Sequence, residues 1–158
     1  MEITQAILDK LTEEAKASPR LRMNMDLRNS ADDQSQRMLN AIEPGSVLPI
    51  HRHQHTSETI VILRGRLIEE YYQEFKEFEG SRSSKGSRSS KSSRSSKGSR
   101  VQIVQEIELK PNGPVVALNI PAGQWHTLHA LESGTVIMEM KDGAYRPLQD
   151  DDVLSLRP

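Results

Sequence analysis

Between Gly45 and Gly65 the chain sets His51, His53 and His55 at alternate positions and follows them with Glu58. A run of β-branched residues, Thr59-Ile-Val-Ile62, comes next, and the bounding glycines punctuate both ends. If the histidines share one strand, alternation puts all three imidazoles on one face. If the chain turns at Thr56-Ser57, Glu58 enters an antiparallel strand and faces the first two histidines. Either way the stretch reads as a metal site built on a β-hairpin. The chain contains no cysteine, so disulfides and thiolate ligands are excluded, and nitrogen and oxygen must do the binding. Two imidazoles and a carboxylate suit one divalent transition metal ion: iron, manganese, nickel, cobalt or zinc. A fourth nitrogen is available in Gly123-Gln-Trp-His126-Thr-Leu-His129, where His126 follows a Pro-x-Gly turn. Three residues on, His129 points to the other face of a strand, and Trp125 points away from its neighbour His126 into the core.

The rest of the chain supplies a scaffold of short strands. Ile3, Ile7, Leu8, Leu11 and Ala15 form an apolar helical stripe that Ser18-Pro19 ends, which predicts an N-terminal helix within residues 1–18. Alternation or β-branched runs then recur in residues 20–28, 36–42, 59–63, 67–78, 101–109, 115–120, 125–131 and 135–141. Turn residues such as Pro44-Gly45, Pro111-Asn-Gly-Pro114 and Pro121-Ala-Gly123 fall between them. Many short strands at this spacing predict a mainly β sandwich or barrel. At 158 residues the chain is one domain, 1–158, long enough for a single core. It has no apolar run of bilayer length and no secretory pattern after Met1, so a cytoplasmic protein with no membrane partner is expected.

Residues 80–100 contain only Ser, Gly, Lys and Arg, with a base at every third position from Arg82 to Arg100. Taking those seven positive charges from the total of −1 leaves −8 for the rest, so the folded part is acidic. The block has no apolar residue with which to repay its ordering, and it is read as a disordered insertion in a hairpin loop. It also explains the low aromatic content of 4%. A cationic tether for nucleic acid is the competing reading, but an insertion with no partner is preferred.

The spacing Gly45, five residues, His51-x-His53, four residues, Glu58, six residues, Gly65 resembles the first cupin motif in full, and Pro121-Ala-Gly123-Gln-Trp-His126 resembles the core of the second. The second motif departs in two places. Its leading glycine, Gly113, stands two residues too far away, and Ala130 occupies the place of an asparagine. The resemblance implies a cupin double-stranded β-helix, or jelly roll, with a short N-terminal helix, and a metal held by His51, His53, Glu58 and His126. His55 is outside that set. Residues 17–24, 36–45, 120–127 and 141–148 further resemble the WbuC family of small cupin metalloproteins, a family associated with O-antigen and lipopolysaccharide gene clusters. That association implies a sugar or sugar-nucleotide substrate and an isomerase- or epimerase-like reaction. A cupin dioxygenase and a non-catalytic metal- and sugar-binding accessory protein are the alternatives.

Arginine suits bidentate binding of carboxylate or phosphate. Arg22, Gln36 and Arg37 are therefore candidates for substrate contact, with Arg37 preferred because it lies just before the metal motif. Tyr145 is a candidate cover for one mouth of the barrel. Exposed sheet edges favour a homodimer.

Overall fold

A computed structural model describes residues 1–75 and 100–154. The basic insertion lies outside the described residues except for Arg100, which opens a strand. The helix α1 covers Gln5–Ala17 and follows Thr4. Ten strands come after it: β1 (Arg22–Asp26), β2 (Ser35–Ile42), β3 (Ile50–His51), β4 (Glu58–Arg64), β5 (Leu67–Phe75), β6 (Arg100–Leu109), β7 (Ala117–Ile120), β8 (Trp125–Ala130), β9 (Thr135–Asp142) and β10 (Val153–Leu154).

The strands form two five-stranded antiparallel sheets, in the orders β1-β2-β9-β4-β7 and β10-β3-β8-β5-β6. Their facing sides bury Ile42, Ile60, Ile62, Leu67, Leu109, Ile120, Leu128, Ala130 and Ile137. Each of the Ile and Leu side chains stabilises the fold by roughly 1.5–3 kcal/mol through burial. Ala130, at the place of the missing asparagine, lies in this apolar end and pairs with Leu67. Chain reversal between β4 and β5 depends on Gly65 at φ +79°. A Cβ there would stand 2.6 Å from the Thr135 Cα. No other residue fits that approach.

The outer face of the first sheet carries the helix. Leu8, Leu11 and Ala15 of α1 pack on Leu39, Ala41 and Val136, which alternate with the inward-facing residues of β2 and β9. Arg64, at the end of β4, fastens the helix. Its guanidinium donates to the Leu8 carbonyl at 3.0 Å and the Gly134 carbonyl at 3.0 Å, and pairs with Asp9. Among the described residues no helix is long and apolar enough to cross a membrane.

Candidate metal centre

Two strand pairings assemble the site from opposite sheets. In one sheet His51 of β3 lies directly opposite His126 of β8. In the other, Glu58 opens β4 opposite Lys141 of β9. The histidine strand is short: β3 ends at His51, so the three alternating histidines do not continue along one strand. The chain leaves β3, and the amide of Gly123 donates to the His53 carbonyl at 2.8 Å. Gly123 occupies the left-handed region at φ +79° within the Pro-x-Gly turn. That bond ties the two histidine-bearing segments together and brings His53 beside His126.

His51, His53, Glu58 and His126 each present one ligand atom, and all four atoms lie within 4.8 Å of one another. The ring centroids of His51 and His126 are 4.3 Å apart, and those of His51 and His53 are 5.1 Å apart. Glu58 Oε2 stands 2.9 Å from His53 Nε2 and 3.9 Å from His126 Nε2.

The backbone prepares two rings for coordination. His51 Nδ1 meets the Pro49 carbonyl at 3.1 Å, and His126 Nδ1 meets the Gln124 carbonyl at 2.9 Å. A carbonyl accepts only from a protonated nitrogen, so each ring carries its proton on Nδ1 and turns the Nε2 lone pair inward. Among the described residues, His126 Nε2 is buried and has no hydrogen-bond partner. A buried polar atom left in this state is costly, and a metal ion resolves it. The donor set and its protonation therefore fit a divalent metal held by His51, His53, Glu58 and His126.

Electrostatics keep His51, His126 and Glu58 in their binding forms. Burial, then the neighbouring His126, pushes His51 down to about 4, and burial lowers His126 as well, so both rings are neutral at pH 7. Burial works to raise the Glu58 pKa. The bond from His53 and the charge of Lys141 outweigh it and hold Glu58 ionised, down to about 2.

Three further side chains surround the ligands. Lys141 Nζ lies 3.3 Å from Glu58 Oε2, 3.2 Å from His53 Nε2 and 2.5 Å from Glu139 Oε1. Asn40 donates to the other Glu139 oxygen at 2.8 Å. On β5, Glu69 is fully buried, and neither carboxyl oxygen has a partner among the described residues. Burial, reinforced by the charges of Glu58, Glu139 and Glu70, raises Glu69 to about 9, so it is a neutral acid at pH 7. Glu69, Glu139 and Lys141 were not among the residues singled out from the sequence. The available signal was a carboxylate at the middle of the apolar alternation Leu67-x-Glu69-x-Tyr71, on the inward face of β5.

The structure does not bring all the sequence candidates to this place. Arg22 lines a cavity of about 120 Å³ with Arg20, Asn24, Asn40, Leu128 and Glu139. Gln36 is buried and donates to the Gly143 carbonyl at 3.1 Å. Arg37 shares the outward parity of Leu39 and Ala41, pairs with Asp33 at 2.7 Å and is not part of the cavity wall. Alternation along β2 explains this: Asn40 and Ile42 face inward, so Arg37 cannot. Tyr145 is exposed beneath the guanidinium of Arg28, 5.6 Å from its ring. His55 is exposed and outside the cluster. His129 faces outward near Glu70, and Trp125 is buried under Arg52 at 4.3 Å.

Comparison with solved structures agrees with this architecture. The chain is similar to KdgF from Halomonas sp., with 15% identity and a TM-score of 0.50 over 82% of this chain and 84% of that one. It is equally similar to the conserved SPY1581 protein of unknown function from Streptococcus pyogenes, with 11% identity and a TM-score of 0.50 over 82% and 80%. A cupin-2 domain, Rru_A2000 from Rhodospirillum rubrum, overlaps at 16% identity and a TM-score of 0.44 over 86% and 72%. The fold is mainly β, a jelly roll of two five-stranded antiparallel sheets with an N-terminal helix. No curated protein matches the sequence. A family model does match it, over residues 3–83, a span that includes His51, His53 and Glu58 and stops short of His126. Since that span is just over half of the chain, the protein belongs to the family described as a domain of unknown function, DUF6016.

Proposed function

We propose that this protein is a divalent-metal cupin acting on a small, oxygen-rich substrate of the sugar class, by an isomerase- or epimerase-like proton transfer. One observation carries the reading: four ligand atoms converge within 4.8 Å while His126 Nε2 is buried without a partner. The resemblance to the WbuC family supports the sugar class, because that family is associated with O-antigen and lipopolysaccharide gene clusters.

A divalent ion at His51, His53, Glu58 and His126 would act as a Lewis acid toward a substrate carbonyl or hydroxyl. The other groups supply what proton transfer needs. Glu69 carries a proton at pH 7 in a water-poor interior, as an acid near a reacting carbon must. Glu139 is likewise raised by burial and by the charge of Glu58. Lys141 places a fixed positive charge between Glu58 and Glu139 and holds both carboxylates in position. Pairs of carboxyl groups whose environments push them apart, here ionised Glu58 and neutral Glu69, mark acid–base assignments.

Elemental analysis of the freshly purified full chain tests the metal, with about one divalent ion per chain expected and none in His51→Ala. Full metal retention in that variant would sink the reading. Deuterium incorporation from solvent into a panel of sugars and sugar phosphates tests the reaction. Tight binding without exchange or product would favour an accessory role. We further propose a cytoplasmic homodimer. The edge strand β6 exposes Ile103 and Val104, and light scattering on the purified chain tests whether two copies associate.

A further inference from the structure

We propose that the cavity beside the metal cluster is a subsite for a small oxyanion, a carboxylate or phosphate group of the substrate, held by the guanidinium pair Arg20 and Arg22. The proposal rests on the metal-centre reading and narrows its substrate class.

The position of the cavity follows from strand register. Leu128 is two residues from His126 along β8, and Glu139 is two residues from Lys141 along β9. Two residues of strand span roughly 7 Å, so the cavity wall begins one inward-facing step from the metal ligands. A hydrogen-bonded chain joins the two places: Asn40 to Glu139, Lys141 to Glu139, and Lys141 to Glu58. That chain couples the cavity wall to the ligand Glu58.

Charge identifies what the cavity takes. Arg28, Arg37, Arg52, Arg64 and Arg66 each meet a carboxylate. Arg20 and Arg22 meet none among the described residues, although the folded part of the chain is acidic. Burial, then the like charge of Arg20, lowers the Arg22 pKa from its ordinary value. The one carboxylate in the wall, Glu139, has its oxygens occupied by Lys141 and Asn40.

The Arg22 guanidinium and the backbone of Arg20 are also held in place. Arg22 Nη1 donates to the Val47 carbonyl at 2.6 Å, and Ser46 Oγ donates to the Arg20 carbonyl at 3.0 Å. Leu21, between them, adopts φ +54°, a conformation that disfavours a side chain. It is kept there by its bonds to Ser18 and Glu43. Two like charges lining one cavity are stabilised by an anion, and guanidinium is the group suited to carboxylate and phosphate. At about 120 Å³ the cavity is well below the 300–1,000 Å³ of sites that enclose drug-sized ligands, so it suits an acid or phosphate group rather than a nucleotide.

The test is calorimetric titration of the purified full chain, its metal content measured beforehand, with three matched probes: glycerol, D-glycerate and glycerol 1-phosphate. At least about ten-fold tighter binding of one or both charged probes over glycerol is expected. Which charged probe binds more tightly assigns the subsite to carboxylate or phosphate. The double variant Arg20→Gln/Arg22→Gln should lose that preference and keep its metal. Asn24→Asp, an exposed substitution that supplies the arginines with a carboxylate, should lose it too and serves if the double variant does not fold. Equal binding of all three probes, no binding, or an unchanged preference in Asn24→Asp overturns the proposal. Anion preference in a chain that holds no metal would leave the subsite standing and remove the metal reading. Metal without anion preference would do the reverse.

Discussion

β2 and β9 each have two faces, and the faces have opposite characters. Outward, Leu39, Ala41 and Val136 meet Leu8, Leu11 and Ala15 of α1 in a mainly apolar interface, with Arg64 clamped to the helix at its edge. Inward, the same strands are apolar at one end, with Ile42 and Ile137, and polar or ionic toward the other, with Asn40, Glu139 and Lys141. The outer face gains stability mainly from burial. The inner face gives up part of that gain to hold charges in a low-dielectric space, where an uncompensated group costs several kcal/mol. The difference separates the residues that hold the fold from those that set up the chemistry, and variants on each side should fail differently.

The largest effect is expected on the inner side. His126→Ala should weaken metal binding by more than about 100-fold, since loss of even an outer supporting group costs 10–100-fold, while circular dichroism reports an intact β fold. Retention of one metal per chain would erase the distinction. On the outer side, Leu11→Ala should lose about 2–5 kcal/mol in urea unfolding with metal content unchanged. A drop in metal content would couple the two faces. A third contrast uses two left-handed glycines. Gly65→Ala drives a Cβ into Thr135 and should cost about 2–4 kcal/mol, whereas Gly123→Ala meets nothing within 4 Å and should cost about 1 kcal/mol. Similar losses for both would remove the packing explanation.

Glu69 gives a pH signature. Its pKa is about 9 in the fold and near 4.5 when unfolded, so the folded state binds the extra proton between those values. Its stabilising contribution is complete below pH 4.5 and is lost as pH rises toward 9. Glu69→Gln cannot ionise, so it should be the more stable protein at pH 8 and flatten the decline between pH 6 and pH 8 by at least about 1 kcal/mol. Parallel urea midpoints for both proteins across that range would refute the burial assignment. The smallest effect is expected at Arg37. Arg37→Gln loses one part-exposed ion pair worth at most about 1 kcal/mol and should leave both metal content and anion binding unchanged.

Much of the site was legible in the sequence because spacing alone carries it. His51, His53 and Glu58 lie within eight residues, and a Pro-x-Gly turn announces His126; the expected hairpin is absent, since β3 and β4 pair in different sheets among the described residues. The helix was equally plain, since its stripe of Leu8, Leu11 and Ala15 has one partner face. Direction across a sheet was less so. Arg37 looked favourable by proximity in sequence, but the parity of β2 sends it to the side of the helix. Arg22 needed β1 to pair with β2 before its cavity existed. Glu69 and Lys141 come from strands far from the motif and are joined to it only by register, which no local pattern encodes.

The β5–β6 hairpin has a consequence for how this chain can change in length. Tyr71 and Tyr72 pair with β8, while Gln73 to Phe75 continue past it with β6 as their only partner in the ladder. Phe75 and Arg100 face each other at its end. A flexible segment joining them would depart from and return to the same rung, so the free energy of closing it would depend on the logarithm of its length. Doubling that length would cost only about 0.6 kcal/mol. This junction is therefore a natural port for guest sequence: a flexible peptide or a tethered reporter placed between Phe75 and Arg100 would enter and leave at one rung, beyond the reach of β8 and of the register that holds the four ligands.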